Sequence, residues 1–546
     1  MKVLLIAPTY KYKSQQTDLL SFSDFPSGIA YIAGALKEGG HEVVGLNPNN
    51  HLNYDKPYFM LANLLSKAIT EHQPDLIGTG GLCIDYPFLK DATELIRKFA
   101  PKTPIVLGGG IVNNDREFIF NHLKPEFSII GEGEDTVVQL ANTLKSGEND
   151  FASIDNLSFW GQDHEPIHTK VNHNYRPIDE RPYPDYDVFG CGEMIEKYSQ
   201  ATRVLYRSTR LYPKLYSVLT ARHCPFSCTF CVHRSGVAYR ARSIPKVMEE
   251  IRVAYEKYHF NILLILDELF TANKQRMNDF SSGVLQGREK YGWDFDWTFQ
   301  THASAALDED SLRLAKKAGL YYFSYGIESG SQTVLDSMNK RVKVAQIEEG
   351  IKMAEKVGVG FGGNLIFGDI AETESTLKES LDFYGRHGTL HCIFLTLLMP
   401  YPGNKLFDTC IERGAIKDKA EYYAHIDEGI FNLTQMPNNV WLNWVNFLIT
   451  LERTWLWVKV TEAISATKEE NKDGLAIWRN GDYYIVDAKC PYCHEDIRYR
   501  ELFTRGTLQY PIFLGTNCIK CGSRIRIDVL SVMKKLQREE TKHETD

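Results

Sequence analysis

Twice along this chain, short apolar runs that end on glycine or a polar turn residue alternate with amphipathic stretches. That pattern restricts it to α/β architectures built on parallel sheets. In the first series "KVLLIAP", "HEVVGLN", "DLIGTGG", "PIVLGGG" and "FSIIGEGE" read as strands, with "GIAYIAGALKEGG", "MLANLLSKAI" and "LKDATELIRKFA" as helices between them. The spacing predicts a doubly wound, Rossmann-like sheet over residues 1–145, with ligands bound beyond the carboxyl ends of its strands. Gly80 and Gly81 in "TGG", and Gly109 and Gly110 in "GGG", would admit a large flat ligand or its nucleotide tail. A plain turn also explains such glycines, and they form no GxGxxG fingerprint.

A connector follows over 146–215 ("RPIDERPYPDYDVF"), then a second series over 216–410. Its strands are "KLYSVLTA", "ILLILDELF", "WTFQTHA", "YYFSYGIESG", "GFGGNLIFG" and "HCIFLTLLMP". Six βα units are too few to close an eight-stranded barrel, so an open, partial (β/α)6 barrel is expected. A cysteine loop after the first strand, and "DEL", "THA", "IES" and "GDI" after later ones, converge on the mouth where barrel active sites lie. Beyond it come an aromatic-rich helical region (411–480), a four-cysteine module (481–530) and a charged tail (531–546) expected to fray.

A net charge of −8 gives no support to nucleic acid as a partner. No apolar run approaches the ~18 residues that would span a bilayer. "MKVLLIAPTYKYKS" is too short in its apolar part for a signal peptide and reads as a buried strand entering a turn at Pro8. Seven of the eleven cysteines fall in two tight clusters, which argues for metal in a reducing compartment, the cytoplasm, over disulfides.

The first cluster, "TARHCPFSCTFC" (220–231), holds Cys224, Cys228 and Cys231. Zinc would need a fourth ligand, which His223 or His233 could offer. An iron–sulfur cube prefers a thiolate at each iron, so three cysteines leave one iron open to a substrate. CxxxCxxC with an aromatic residue, Phe230, before the third cysteine, in a loop between strand and helix, resembles the radical S-adenosylmethionine (SAM) superfamily. The resemblance implies a [4Fe–4S] cluster on Cys224, Cys228 and Cys231, with the amino and carboxylate groups of SAM on the unique iron. One electron, from an external donor such as flavodoxin or ferredoxin, would cleave SAM to methionine and a 5′-deoxyadenosyl radical that attacks an unactivated C–H bond. Asp267 and Glu268 stand where the family meets the SAM amino group with a glycine-rich segment; here the residues differ. Glu328 would take the ribose hydroxyls, since a carboxylate accepts two hydrogen bonds from a diol. "GNLIFGD" (363–369), with Asn364, would pass beside adenine. The alternatives are a salt-bridged Glu328 and a solvated Asp267.

"PSGIAYIAGALKEGGHEV", "PIVLGGG" and "GEGE", the last with Glu132, together resemble the cobalamin-binding domain of cobalamin-dependent radical SAM enzymes. So do the connector and "MPYPGNKLF" (399–407), and the resemblance spans roughly residues 1–410. No DxHxxG motif is present, and His41 lies at a strand start on the wrong edge of the sheet. Cobalamin would therefore bind base-off, without a protein imidazole on cobalt, and the loop after the first strand, with Tyr10, would lie nearest its lower face. The implied reaction is methylation of an unactivated carbon, one SAM supplying the methyl group by way of cobalamin and a second the radical. The alternative is a radical cyclisation, rearrangement or oxidation without methyl transfer. A methylthiotransferase would carry a second cluster on three N-terminal cysteines, and residues 1–190 contain only Cys83.

The second cluster pairs "CPYC" (Cys490, Cys493) with "CIKC" (Cys518, Cys521), an array expected to form a tetrahedral structural zinc site, with rubredoxin-like iron as the alternative. "DIRYRELF" and "YPIFLG" would be the strands of a small zinc ribbon, in which the metal substitutes for a core. Trp441, Trp444, Leu448, Leu451 and Trp455 follow helical spacing. They read as core packing, or as the wall of a pocket for a lipid-like or flat aromatic substrate. The substrate is expected to be a small or lipid-like molecule.

Overall fold

The apolar run Lys2–Ile6 (β1) sits inside the first sheet, with Val3 to Ile6 covered on both faces. The computed structural model describes all residues except 10–11, 13–21, 52–55, 199–208, 233–236, 272, 306, 389–390, 427, 456, 471–472, 505–513 and 544–546. Among the described residues, β1 is joined by Glu42–Leu46 (β2), Leu76–Gly80 (β3), Ile105–Gly108 (β4), Phe127–Ile129 (β5), Leu157–Trp160 (β6) and Pro166–His168 (β7). Their order is β2-β1-β3-β4-β5-β6-β7, and β1 to β5 are parallel. Helix Ser27–Glu38 buries Ile29, Ala30, Ala33 and Leu36 and stops at Gly39 and Gly40. β6 and β7 differ from the sequence reading: they run antiparallel and extend the sheet into the stretch read as a connector. Strands of three and four residues carry too little periodicity to stand out. This unit comprises residues 1–194, 230–237 and 399–430. In the last of these segments Tyr423 stacks on Phe118, ring centroids 5.1 Å apart, and donates its hydroxyl to Asp115.

The second unit comprises residues 195–229, 238–398 and 431–546. It is built on Leu215–Val218 (β8), a small antiparallel pair Ala221–Arg222 (β9) and Arg240–Ala241 (β10), then Ile262–Ile265 (β11), Asp296–His302 (β12), Leu320–Glu328 (β13), Gly360–Phe367 (β14) and Cys392–Leu397 (β15). Among the described residues the main sheet is parallel in sequence order, from β8 through β11 to β15, and open between β8 and β15. Helix Asn438–Thr454 blunts the β15 edge: the Leu395 N–H donates to Glu452 at 2.9 Å. That helix buries Trp441, Val445, Leu448 and Leu451, while Trp444 and Trp455 are only half-buried. Val445 thus takes the place on the stripe assigned to Trp444, which turns toward Lys378 and Phe447 instead.

The C-terminal part adds Val460–Thr461 (β16), Ala463–Lys468 (β17), Gly481–Lys489 (β18), Asp496–Thr504 (β19), Leu514–Asn517 (β20) and Arg524–Ile527 (β21). They form two small sheets, β17-β18-β19 and β16-β21-β20. "DIRYRELF" lies in β19, which pairs with β18; most of "YPIFLG" lies outside the described residues, its last two opening β20. As far as His543, the last described residue, the charged tail is not a frayed coil. It continues helix Val529–His543, in which Val529, Val532, Met533 and Leu536 share one face and pack on the module's core. Among the described residues no helix is long and apolar enough to cross a membrane.

Candidate active site and metal centre

Asp267, two residues past β11, fixes the entry to the cysteine loop. It is fully buried, and its carboxylate accepts the N–H groups of Thr220 (2.6 Å) and Ala221 (2.9 Å) and the Thr220 hydroxyl. Burial raises this carboxyl to about 6, against the pull of those donors. The solvated alternative is therefore corrected: Asp267 is turned inward and holds the strand end that launches the cysteines. Arg276 braces the same point, donating to the Thr220 carbonyl and hydroxyl at 2.9 Å each. Its sequence neighbour Glu268 is exposed.

The loop is held through the residues between its cysteines. Phe226 lies flat on the imidazole of His302, which ends β12, with centroids 3.9 Å apart and planes 13° from parallel. Asn339 donates from Nδ2 to the Ser227 carbonyl (2.9 Å) and hydroxyl (3.0 Å). The Thr229 N–H donates to the Met338 carbonyl at 3.1 Å. Cys224, Cys228 and Cys231 are each part-exposed, whereas Cys83, Cys191, Cys392 and Cys410 are buried. Reachable thiols fit cluster ligands, and buried ones behave as small apolar side chains. The Phe230 carbonyl accepts from Asn404 at 2.9 Å.

Glu328 ends β13 with φ +61°, after a break in register, and is 6% exposed. Lys340 meets its Oε1 at 2.8 Å, so the ion pair is present; a carboxylate still has a second oxygen to offer. Burial and the Lys340 charge lower the His302 imidazole to about 4, so it is neutral. Its Nδ1 meets Ser304 at 2.7 Å. Asn364 is exposed within a strand that is otherwise almost wholly buried. Past that strand, buried Asp369 accepts from Ser337 (2.6 Å) and Glu372 from the Gly368 N–H; burial lifts Glu372 to about 8. Trp441 covers Gly368, 3.4 Å from where a Cβ would stand. The sequence reading missed Asn339, Lys340 and Glu372. One signal was available, since Asn is enriched at left-handed positions and Asn339 has φ +52°.

In the first sheet, the order β2-β1-β3 puts the topological switch point between β1 and β3. Thr9, after β1, is buried there with Oγ1 lacking a partner among the described residues. Tyr10 lies outside the described residues. The glycines do serve a close approach, but of one strand end on the next: a Cβ on Gly80 would come 2.4 Å from the carbonyl oxygen of its sheet partner Gly108. On Gly109, which has φ +87°, it would come 2.7 Å from the Gly81 carbonyl oxygen, and Gly110 packs on Leu82. Glu132 faces Arg181 at 3.5 Å, together with Glu134 and Asp135. His41 precedes β2 at the N-terminal edge, and neither residues 7–26 nor 80–86 contain a histidine. The Thr9 hydroxyl, without a partner among the described residues, is a polar group at the switch point that a bound cobalamin could meet.

Cys490 and Cys493 lie at the turn between β18 and β19, Cys518 and Cys521 at the turn between β20 and β21. Their Sγ atoms all lie within 4.8 Å of one another, with Cys490–Cys521 at 3.8 Å and Cys493–Cys518 at 3.6 Å. Four sulfurs about 2.3 Å from a tetrahedral ion stand about 3.8 Å apart, so these thiols are already at metal-binding separation. The two turns repeat one design. The N–H groups of Tyr492 and Lys520 point at the sulfurs of Cys490 and Cys518, at 3.4 and 3.3 Å. His494 and Gly522 take φ +60° and +72° at matching positions. Gly522 abuts Gly360, the first residue of β14: a Cβ there would come 2.1 Å from the Gly360 Cα. Nearby, fully buried Arg524 lies against the rings of Phe394 (4.3 Å) and Trp455 (4.5 Å), with Glu452 at 3.7 Å.

The B12 binding domain family matches residues 24–141 and the radical SAM superfamily residues 218–384. The molecule is thus a B12-binding domain joined to a radical SAM domain. The chain belongs to the cobalamin-dependent radical SAM enzymes. It is 26% identical over 417 residues to an uncharacterized methyltransferase of Pyrococcus horikoshii, covering 75% of this chain and 83% of that one. It is 24% identical over 433 residues to the anaerobic magnesium-protoporphyrin IX monomethyl ester cyclase of Rubrivivax gelatinosus, covering 77% and 72%. The fold is similar to that of the radical SAM methyltransferase TsrM from Kitasatospora setae, whose structure holds cobalamin and a [4Fe–4S] cluster. The TM-score is 0.59 at 17% identity, over 76% of this chain and 75% of that one.

Proposed function

We propose that this enzyme methylates an unactivated carbon of a small or lipid-like molecule. One observation carries the reading: three reachable thiols after the first strand of a parallel barrel, in a chain that also holds a B12-binding domain and aligns over 75% of its length with a methyltransferase. Cys224, Cys228 and Cys231 would hold the [4Fe–4S] cluster. Glu328, paired to Lys340 through one oxygen, would meet the ribose hydroxyls through the other. Asn364 would face adenine, and Asp267 and Arg276 would hold the loop in register rather than touch SAM. The Thr9–Tyr10 segment and the Gly80 and Gly109 loops would border cobalamin. When bound, cluster and SAM supply a 5′-deoxyadenosyl radical, and cobalamin supplies the methyl group. The C-terminal thiolates would hold zinc. Their knuckle meets the N-terminal end of β14, about 25 Å of strand from its far end, which favours a structural ion over an electron relay. Eleven free cysteines suit a reducing cytoplasm, where flavodoxin or ferredoxin would deliver the electron.

The test is anaerobic reconstitution with iron, sulfide and hydroxocobalamin, followed by metal and product analysis. About four irons, one cobalt and one zinc per chain are expected. S-adenosylhomocysteine should form alongside 5′-deoxyadenosine. Iron without cobalt would sink methyl transfer. Cobalt with 5′-deoxyadenosine alone would favour the second reading, a radical cyclisation, rearrangement or oxidation, which the similarity to the cyclase supports.

A further inference from the structure

We propose that the turn Met338–Lys340 is a latch tying the cysteine loop to the SAM-binding carboxylate Glu328. The inference rests on the radical SAM reading above and names a role for residues outside the ligand set. Three consecutive residues make the connection. The Met338 carbonyl receives the Thr229 N–H, and the Asn339 amide donates twice to Ser227, so both flanks of Cys228 are held. The next residue, Lys340, is 5% exposed and pairs with Glu328 at 2.8 Å.

The turn itself has little freedom. Helix Gln332–Ser337 leads into it, the Lys340 N–H closes back on the Leu335 carbonyl at 3.0 Å, and Asn339 and Arg341 take φ +52° and +54°. Ser337, at its start, is bonded to Asp369 beyond β14. Phe226, next to Ser227 in the loop, rests on His302, so the same stretch is gripped from a second strand end. A shift of Glu328 on meeting a ribose is therefore passed through one residue to the peptide that carries Cys228. Asn339 is a positioning residue, since its amide bonds to Ser227.

Asn339→Asp tests this in the full-length reconstituted enzyme. Aspartate keeps the shape and tolerates the left-handed backbone but has no N–H to donate. The readouts are iron content, the dissociation constant for SAM, and the EPR spectrum of the reduced cluster with and without SAM. Unchanged iron is expected, with SAM binding about tenfold weaker, the loss of one to two hydrogen bonds of ordinary net strength. The spectral change on adding SAM should shrink. Ser227→Ala removes only the hydroxyl partner and should weaken SAM binding by roughly threefold, keeping the test alive if the aspartate variant folds poorly. Wild-type SAM affinity and spectra in both variants would overturn the latch. So would lost iron in Asn339→Asp with a wholly wild-type Ser227→Ala, which would make the turn a folding element. A wild-type chain that assembles no SAM-responsive cluster would bring down the parent reading, a failure visible before any variant is made.

Discussion

The two cysteine clusters of this chain are built in opposite ways. In the C-terminal module the thiols themselves stand at ion-binding separation, on two turns of one design, with backbone N–H groups aimed at two of the sulfurs. In the loop 224–231 the described contacts fall on the residues between the thiols: Phe226 on His302, Ser227 on Asn339, Thr229 on Met338. A four-thiolate site would fill the coordination of its ion, but the ion does not substitute for a core as the sequence suggested: Val486, Phe503, Ile525 and Val532 already give this module an apolar core. A three-thiolate site must leave a position open for chemistry, so the protein supplies rigidity from the flanks. The first arrangement suits an ion that supports structure, the second a structure that leaves room for metal chemistry.

Cys224→Ala would separate the two sites most sharply. 5′-Deoxyadenosine formation should fall below detection and cluster iron should be lost, while zinc per chain and the thermal midpoint hold; joint loss of zinc would break the comparison. Cys493→Ser, or a zinc chelator, should do the reverse. Loss of the ion is expected to cost on the order of 5 kcal/mol and lower Tm by roughly 10 °C or more in calorimetry, with iron in the folded fraction unaffected. Asp267→Asn comes next: Oδ1 can still accept the Thr220 and Ala221 N–H groups, but an amide NH2 replaces the oxygen that accepts the Thr220 hydroxyl. About 1–3 kcal/mol of stability should go, and the cluster should bleach faster under a mild chelator.

The smallest effect is resolved by pH. His302 has a folded pKa of about 4, below its ordinary 6.5, so between these values the unfolded chain binds the extra proton. Its contribution to stability is complete above 6.5 and is lost as pH falls toward 4. About 1 kcal/mol should disappear between pH 7 and pH 5.5 in denaturant titrations. His302→Gln should flatten that arm, and an unchanged slope would assign it to other groups.

Both βα series and both cysteine arrays were legible because their signals are local: apolar runs, turn glycines, fixed spacings. What escaped was set by distant partners. Asp267 has a sequence-neutral look, and only its bonds to Thr220 and Ala221, 47 and 46 residues earlier, turn it inward. The glycines after β3 and β4 advertise a close approach without saying of what, and the structure uses them for each other's backbone. The tail helix was hidden by its charges, although Val529, Val532 and Leu536 carry the spacing. Lys340 had no motif of its own, and its partner lies across the mouth of a strand.

The contact of Gly522 with Gly360, and the burial of Arg524 beside β15, bear on how the molecule is made. A ribosome releases the six barrel strands long before it releases residues 518–527, and chains fold as they emerge. Until then β14 lacks the contact at its N-terminal end and the Phe394 ring of β15 its Arg524 neighbour, although helix Asn438–Thr454 already protects the β15 edge. With zinc as the proposed ion of the four thiols, its supply would act on yield at synthesis as much as on the finished enzyme. Cells starved of zinc should accumulate this chain in inclusion bodies, with the catalytic loop intact in sequence and never assembled.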